Sequence, residues 1–184
     1  MFLELLACRE NTEIRLFGPT GAPKKIWSEN ALGRLLRRAR CEVRLPYLTG
    51  SFGFVLKNHN LITNVGHAGA NGRMSNLGGY STFTALAIGT GTTPAAPTDT
   101  ALQAEITTGG GARGAATATQ VTTTVANDTT QLVKTWTFTA SFAVTEEGIL
   151  DSATTGGNLL AHQVFAAINV ASGDSLQITH KYST

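Results

Sequence analysis

A mainly β fold, an antiparallel β-sandwich of jelly-roll-like character with an N-terminal arm containing one helix, is what this sequence predicts, on three observations. Leu132, Trp136, Phe138, Ala140, Phe142 and Val144 occupy even positions while Thr135, Thr137, Thr139 and Ser141 occupy the odd ones, the period of two of a half-buried strand, with Lys134 as the exception. Val164, Ala166, Ile168 and Val170 are followed by Ala171-Ser172-Gly173-Asp174 and then by Leu176, Ile178 and Tyr182, which reads as a hairpin about a Gly-containing loop. Finally, strand patterns follow one another with one convincing long helix, as when two sheets bury their apolar faces on each other.

The elements follow in order. Glu13-Ile14-Arg15-Leu16-Phe17, a break at Gly18-Pro19-Thr20-Gly21 and Lys24-Lys25-Ile26-Trp27 read as a short hairpin. Ser28 caps a helix in which Leu32, Leu35, Leu36 and Ala39 recur at helical spacing, ending before Pro46. Phe54-Val55-Leu56 and Leu61-Ile62-Thr63 are strands around a polar turn, and the glycine-rich stretch 66–79 reads as a long exposed loop. A strand over Phe83–Ile88 passes through a Gly/Thr/Pro corner into a short helix, capped by Thr98 or Asp99 and ending near Ile106. We divide the chain into a basic docking arm, residues 1–46, comprising hairpin and helix, and a β-sandwich body, residues 47–184.

Charge supports the division. Residues 1–57 carry ten Lys/Arg against five Asp/Glu, whereas residues 58–184 carry four against seven. The halves therefore suit different partners, and the arm should dock on something acidic. Arg34, Arg37, Arg38, Arg40 and Arg44 form the one basic patch; without interleaved aromatics or a helix-turn-helix pattern it reads as a protein-docking surface, with no nucleic acid as partner. Only 14% of residues are charged, below the usual quarter or so, which suits a surface that meets other subunits.

Several function classes are disfavoured. Cys8 and Cys41 form neither a disulfide framework nor a metal pair and read as reduced. Glu4 interrupts the lipoprotein-like Leu5-Leu6-Ala7-Cys8, and no run approaches the ~18 apolar residues of a membrane span, so synthesis in the cytoplasm without secretion is expected. Gly89-Thr90-Gly91-Thr92-Thr93-Pro94 has Pro where a dinucleotide fingerprint needs its third Gly, and the stretch 66–72 lacks the Gly-Lys-Ser/Thr ending of a phosphate loop. His59, His67, His162 and His180 are scattered without ligand spacing, so neither a metal nor any other cofactor is expected. Glu146, Glu147 and Asp151 form the one acidic cluster; neighbouring strand residues point to opposite faces, so Glu146 and Glu147 cannot converge, and a solvated turn or subunit seam is the expected setting. No nucleophile elbow is present, and we read the chain as non-enzymatic.

Resemblance adds a function. Leu86-Ala87-Ile88-Gly89-Thr90-Gly91-Thr92-Thr93 with Pro94-Ala95-Ala96-Pro97-Thr98-Asp99-Thr100-Ala101-Leu102 is similar to the "ALGTGTTAPAATDTAL" of virion structural proteins of tailed bacteriophages, of tail-fibre, baseplate or head-decoration type. Supporting segments are Asn60–Asn64, Glu147-Gly148-Ile149-Leu150, Leu159-Leu160-Ala161-His162, where the family more often ends in arginine, and Gly173–Thr179. The resemblance spans roughly residues 52–182 and implies a β-rich, non-enzymatic building block without named catalytic residues. On it we expect a virion protein that assembles with itself, as a homotrimer, and attaches through its arm to capsid, connector or tail. A tail or tail-fibre-associated place is the leading reading; the alternatives are a capsid-decoration or head-fibre protein and a module binding a host-surface glycan, with Tyr47 and Tyr80 as exposed aromatics. Glu147, His162 and His180 are the expected oligomer contacts.

Overall fold

The computed structural model describes residues 9–24, 55–58, 61–74 and 76–183. The strands are β1 (Arg9–Phe17), β2 (Val55–Asn58), β3 (Leu61–Ile62), β4 (Ala85–Gly89), β5 (Gly114–Ala115), β6 (Thr117–Val121), β7 (Thr129–Thr137), β8 (Phe142–Leu150), β9 (Leu159–Val170) and β10 (Ser175–Ser183), with one described helix, α1 (Asn64–Met74). They form two five-stranded antiparallel sheets, ordered β2-β1-β10-β7-β6 and β3-β9-β8-β4-β5. The expected mainly β, two-layered fold is the one found. Among the described residues no helix is long and apolar enough to cross a membrane.

The core follows from register. In the first sheet Leu16, Leu176 and Trp136 lie side by side on β1, β10 and β7. Against them the second sheet turns Leu86, Ile88, Val144, Ile149 and Ile168, all fully buried. At about 25 cal/mol per Å² of apolar surface, each large side chain so enclosed contributes roughly 1.5–3 kcal/mol. Lys134 shares the inward parity of Trp136 and settles by lying over the indole, with Nζ 5.0 Å from the ring centroid; burial lowers its pKa.

Four local expectations are corrected. The alternation from Leu132 to Val144 is two strands, not one: the chain leaves the first sheet after Thr137 and enters the second at Phe142, and Phe138 stays in the core because the crossover keeps it pointing inward. Nor do Val164–Val170 and Leu176–Tyr182 form a hairpin. β9 pairs with β8 and β3, β10 with β1 and β7, so 171–174 arches between layers. Arch and hairpin place apolar residues alike, and pattern cannot separate them. On β9 the phase also slips, with Ala166 exposed and Phe165 buried, because three residues of β9 stand opposite Thr145 alone.

The third correction concerns the glycine-rich stretch 66–79, whose first part is α1. Thr63 caps it, its Oγ1 accepting the Gly66 N–H at 2.9 Å and donating to the Leu159 carbonyl. Gly66 and Gly69 are the buried face of the helix: a Cβ on Gly66 would overlap the Leu160 carbonyl of β9, and one on Gly69 would collide with Phe83. Glycine here buys close packing where the sequence suggests slack. Fourth, the short helix expected over Thr98–Ile106 does not form; the segment is irregular, for a reason that lies in the site below.

Arg9–Phe17, placed by the sequence in the arm, is an inner strand of the first sheet. Its expected hairpin is seen as far as the Phe17–Pro23 bridge and the Lys24 N–H to Leu16 carbonyl bond; Lys24 then pairs with the buried Asp174 of the arch. The helix over 31–40, Cys8, Cys41, Tyr47 and His59 lie outside the described residues.

Candidate functional site

Between β4 and the Gly89–Glu105 bridge the chain makes an excursion over the outer face of the second sheet. It returns to β4 through the Thr90 N–H to Ala104 carbonyl and Ile106 N–H to Ile88 carbonyl bonds, both 2.9 Å. Beneath it, Ala85, Ala87, Leu102, Leu150 and Leu159 form a second, small apolar cluster. Glu146 of β8 points into this outer layer. Its Oε1 accepts the N–H groups of Gly91 and Ala104 at 2.9 and 2.7 Å, and its Oε2 accepts the Gln103 N–H at 2.9 Å. Those amides are spent on a side chain, so residues 98–106 cannot build a helical ladder; the carboxylate replaces the carbonyls that a helix would offer.

Glycine makes the approach possible. A Cβ on Gly91 would stand 2.7 Å from Glu146 Oε1, and one on Gly89 2.6 Å from the Ala104 carbonyl oxygen. The Gly-Thr-Gly of the sequence is thus a seat for a buried carboxylate. Thr145 adds a bond of 2.7 Å from its Oγ1 to the Gly91 carbonyl.

His162 of β9 completes the site. Gly148 lies directly opposite on β8, where a Cβ would crowd Leu159, and Glu146, two residues earlier on the same face, meets Nε2 at 3.0 Å. On the other side Nδ1 lies 2.7 Å from Asp99 Oδ2, which also accepts the Ala96 N–H at 2.8 Å. Glu146 and His162 are completely buried, whereas the Asp99 side chain is 22% exposed. Burial alone would lower the pKa of His162, but the hydrogen bonds to Glu146 and Asp99 and their negative charge outweigh it, so the imidazole is held above its ordinary value. Burial would raise Glu146; the His162 bond and the three backbone amides prevail and lower it. The site is a buried imidazole between two carboxylates, Glu146 being held by three backbone amides and the ring. Both ring nitrogens are engaged, so the imidazole ties the excursion to β8 and β9.

A second histidine–carboxylate pair occupies the inner face. Glu147 turns between the sheets, with Oε1 3.4 Å from His180 Nδ1 and within 3.3 Å of the Thr12 hydroxyl, which also lies 3.2 Å from His180 Nδ1. Gln163, paired with Glu147 in register, is buried beside it, and its amide has no hydrogen-bond partner among the described residues. The rings of His180 and Tyr182 meet edge to face, with centroids 6.5 Å apart.

The expected setting of these residues is therefore corrected. Glu147, His162 and His180, anticipated at a subunit seam, are each enclosed within a single chain. Glu146 is a buried strand residue and not part of a solvated turn, because two histidines on opposite faces give both acids of the pair internal partners. Asp151 stands apart, bonded to Asn158 at 2.6 and 2.8 Å. Tyr80 is half-buried against Phe83, and His67 is exposed on α1. Among the described residues no group of three His, Cys, Asp or Glu side chains could hold a metal ion. Arg34, Arg37, Arg38, Arg40 and Arg44 lie outside the described residues. Sequence reasoning missed Asp99 as a partner of His162; the paired glycines were the available signal of a close backbone approach. The chain matches no protein-family model, no curated protein and no solved structure.

Proposed function

We propose that this chain is a structural component of a tailed-bacteriophage virion, tail or tail-fibre associated, assembling as a homotrimer and attached through its basic N-terminal residues. One observation carries the reading: three segments of the phage resemblance, Leu86–Leu102, Glu147–Leu150 and Leu159–His162, separated along the chain, come together at the second sheet, while Gly173–Thr179 belongs to the arch and to β10 of the first. Gly89 and Gly91 make room for Glu146, His162 bonds Glu146 on one side and Asp99 on the other, and Gly148 to Leu150 and Leu159 to Ala161 are on adjacent strands of the same layer. Residues so employed build a rigid layer, which suits a part repeated in an assembly, where geometry is the product. The arginine cluster from Arg34 to Arg44 gives attachment its charge.

Cryo-electron microscopy of particles carrying a tagged copy tests the reading. Density at the tail supports it, density on the head surface transfers the role to decoration, and particles without the protein overturn it. Light scattering of the isolated protein should return the mass of three chains; a monomer overturns the trimer.

A further inference from the structure

Asp99 and Glu146 grip the same imidazole from opposite sides, but they are anchored differently. Glu146 is enclosed and holds three backbone amides; Asp99 is partly exposed and holds one. Asp99 also closes the 96–99 turn, with its own N–H bonded to the Ala96 carbonyl at 3.0 Å, and within that turn the Pro97 carbonyl accepts the N–H of Asn64, the first residue of α1, at 2.7 Å. A line of contacts thus runs from His162 through Asp99 to the start of a helix.

We propose that His162 is a protonation-operated latch that holds the 96–99 turn and the start of α1 against the second sheet, and that loss of its proton frees the turn while the Glu146-bound half of the excursion stays in place. The protonated ring donates from both nitrogens. When one proton leaves to solvent, the remaining N–H stays on Nε2, because Glu146 has no water to turn to and a buried carboxylate stripped of a donor is costly. Nδ1 then presents a lone pair to Asp99 Oδ2. Attraction becomes repulsion, and Asp99, the partner that reaches water, swings out.

Other charged groups nearby are committed elsewhere. On α1, His67 is exposed and Arg73 donates to the Tyr80 carbonyl. In the excursion, Glu105 is paired with Arg113; just after β8, Asp151 is bonded to Asn158; and Leu61 of β3 stands opposite His162 in register. Asp99 and Glu146 are the carboxylates bonded to the ring.

Amide hydrogen exchange of the full chain, measured from mildly acidic to alkaline pH and corrected for the intrinsic rate, tests the latch alongside the nitrogen chemical shifts of His162. As the ring titrates, protection of Asn64 and Ala96 should fall about tenfold or more, the factor of one hydrogen bond to a charged group. Gly91, Gln103 and Ala104 should keep their protection, and the neutral ring should carry its proton on Nε2. In Asp99→Asn, protection of Asn64 should no longer follow His162. Constant protection of Asn64 and Ala96 through the titration, simultaneous loss at all five amides, or a neutral ring protonated on Nδ1 would each overturn the proposal. The wild-type measurement decides it even where the variant fails to fold.

Discussion

Glu146 and Glu147 are chain neighbours that face opposite sides of one strand, and each meets a different buried histidine: Glu146 lies 3.0 Å from His162 on the outer layer, Glu147 3.4 Å from His180 between the sheets. Strand alternation alone requires the divergence. Finding a histidine on each side turns what looks like an acidic surface patch into two internal ties, one fastening the excursion to its sheet and one joining the two sheets.

Glu146→Gln keeps the shape of the side chain but removes its charge, leaving an amide N–H where backbone N–H groups converge. Stability should fall by about 3 kcal/mol, as when one partner of a buried ion pair is removed. Urea denaturation measures it; a loss below about 1 kcal/mol, the range of surface pairs, would mean that the carboxylate is not the anchor.

The two shifted groups shape stability against pH from opposite ends. Glu146 is lowered, so its contribution is complete above its ordinary pKa of about 4.3 and disappears as pH falls through the lowered native value. His162 is raised, so its contribution is complete below about 6.5 and is lost as pH rises through the raised native value. Calorimetric melting temperatures should therefore peak between those limits, and Glu146→Gln should flatten the acid limb. A wild-type profile that climbs steadily through neutral pH would contradict this assignment.

Gly66→Ala places a methyl group on the Leu160 carbonyl, so α1 must move away from β9. The cost should be about 1–3 kcal/mol, although alanine is the better helix former. Asn71→Ala, at an exposed position of the same helix, is the control and should be neutral or slightly stabilising in parallel thermal melts.

Trp136→Ala empties the core beneath β7 and abandons the 2.9 Å bond from its Nε1 to the Ala112 carbonyl. Denaturant titration should show a loss of about 3–5 kcal/mol. A smaller effect would imply that the sheets close over the gap.

Asp128 organises the turn between β6 and β7 by accepting the N–H groups of Thr123, Thr124 and Val125, and these bonds hold its carboxyl well below the usual range. Asp128→Ala should speed exchange at those three amides while leaving the core amides of β7 protected. Unchanged exchange in the turn would show that the backbone holds it unaided.

Much of the fold was legible because burial writes itself into parity. Leu176, Ile178 and His180 share a face in the sequence and in the sheet, and Trp136 and Phe138 are as deep as their alternation suggests. What parity cannot encode is which layer a strand joins, so the arch after Val170 read as a hairpin and the crossover after Thr137 was invisible. Glycine carried the other ambiguity: in 66–74 and at Gly89 and Gly91 it allows backbone or carboxylate to come close, while composition alone equates it with looseness. Asp99 looked like a helix cap because it does accept a local N–H, but its partner His162 lies sixty-three residues away, and such a separation leaves no local trace.

Strand β1 lies between β2 and β10, so Thr12 aligns with His180 and Leu16 with Leu176. The earliest described strand therefore waits for the latest before its half of the molecule can close, a long loop whose entropy must be met before any contact rewards it. During synthesis the second layer has all its partners first and is the natural template, and removing the opening residues would leave β10 with a bare flank, ready to seek a strand from another molecule.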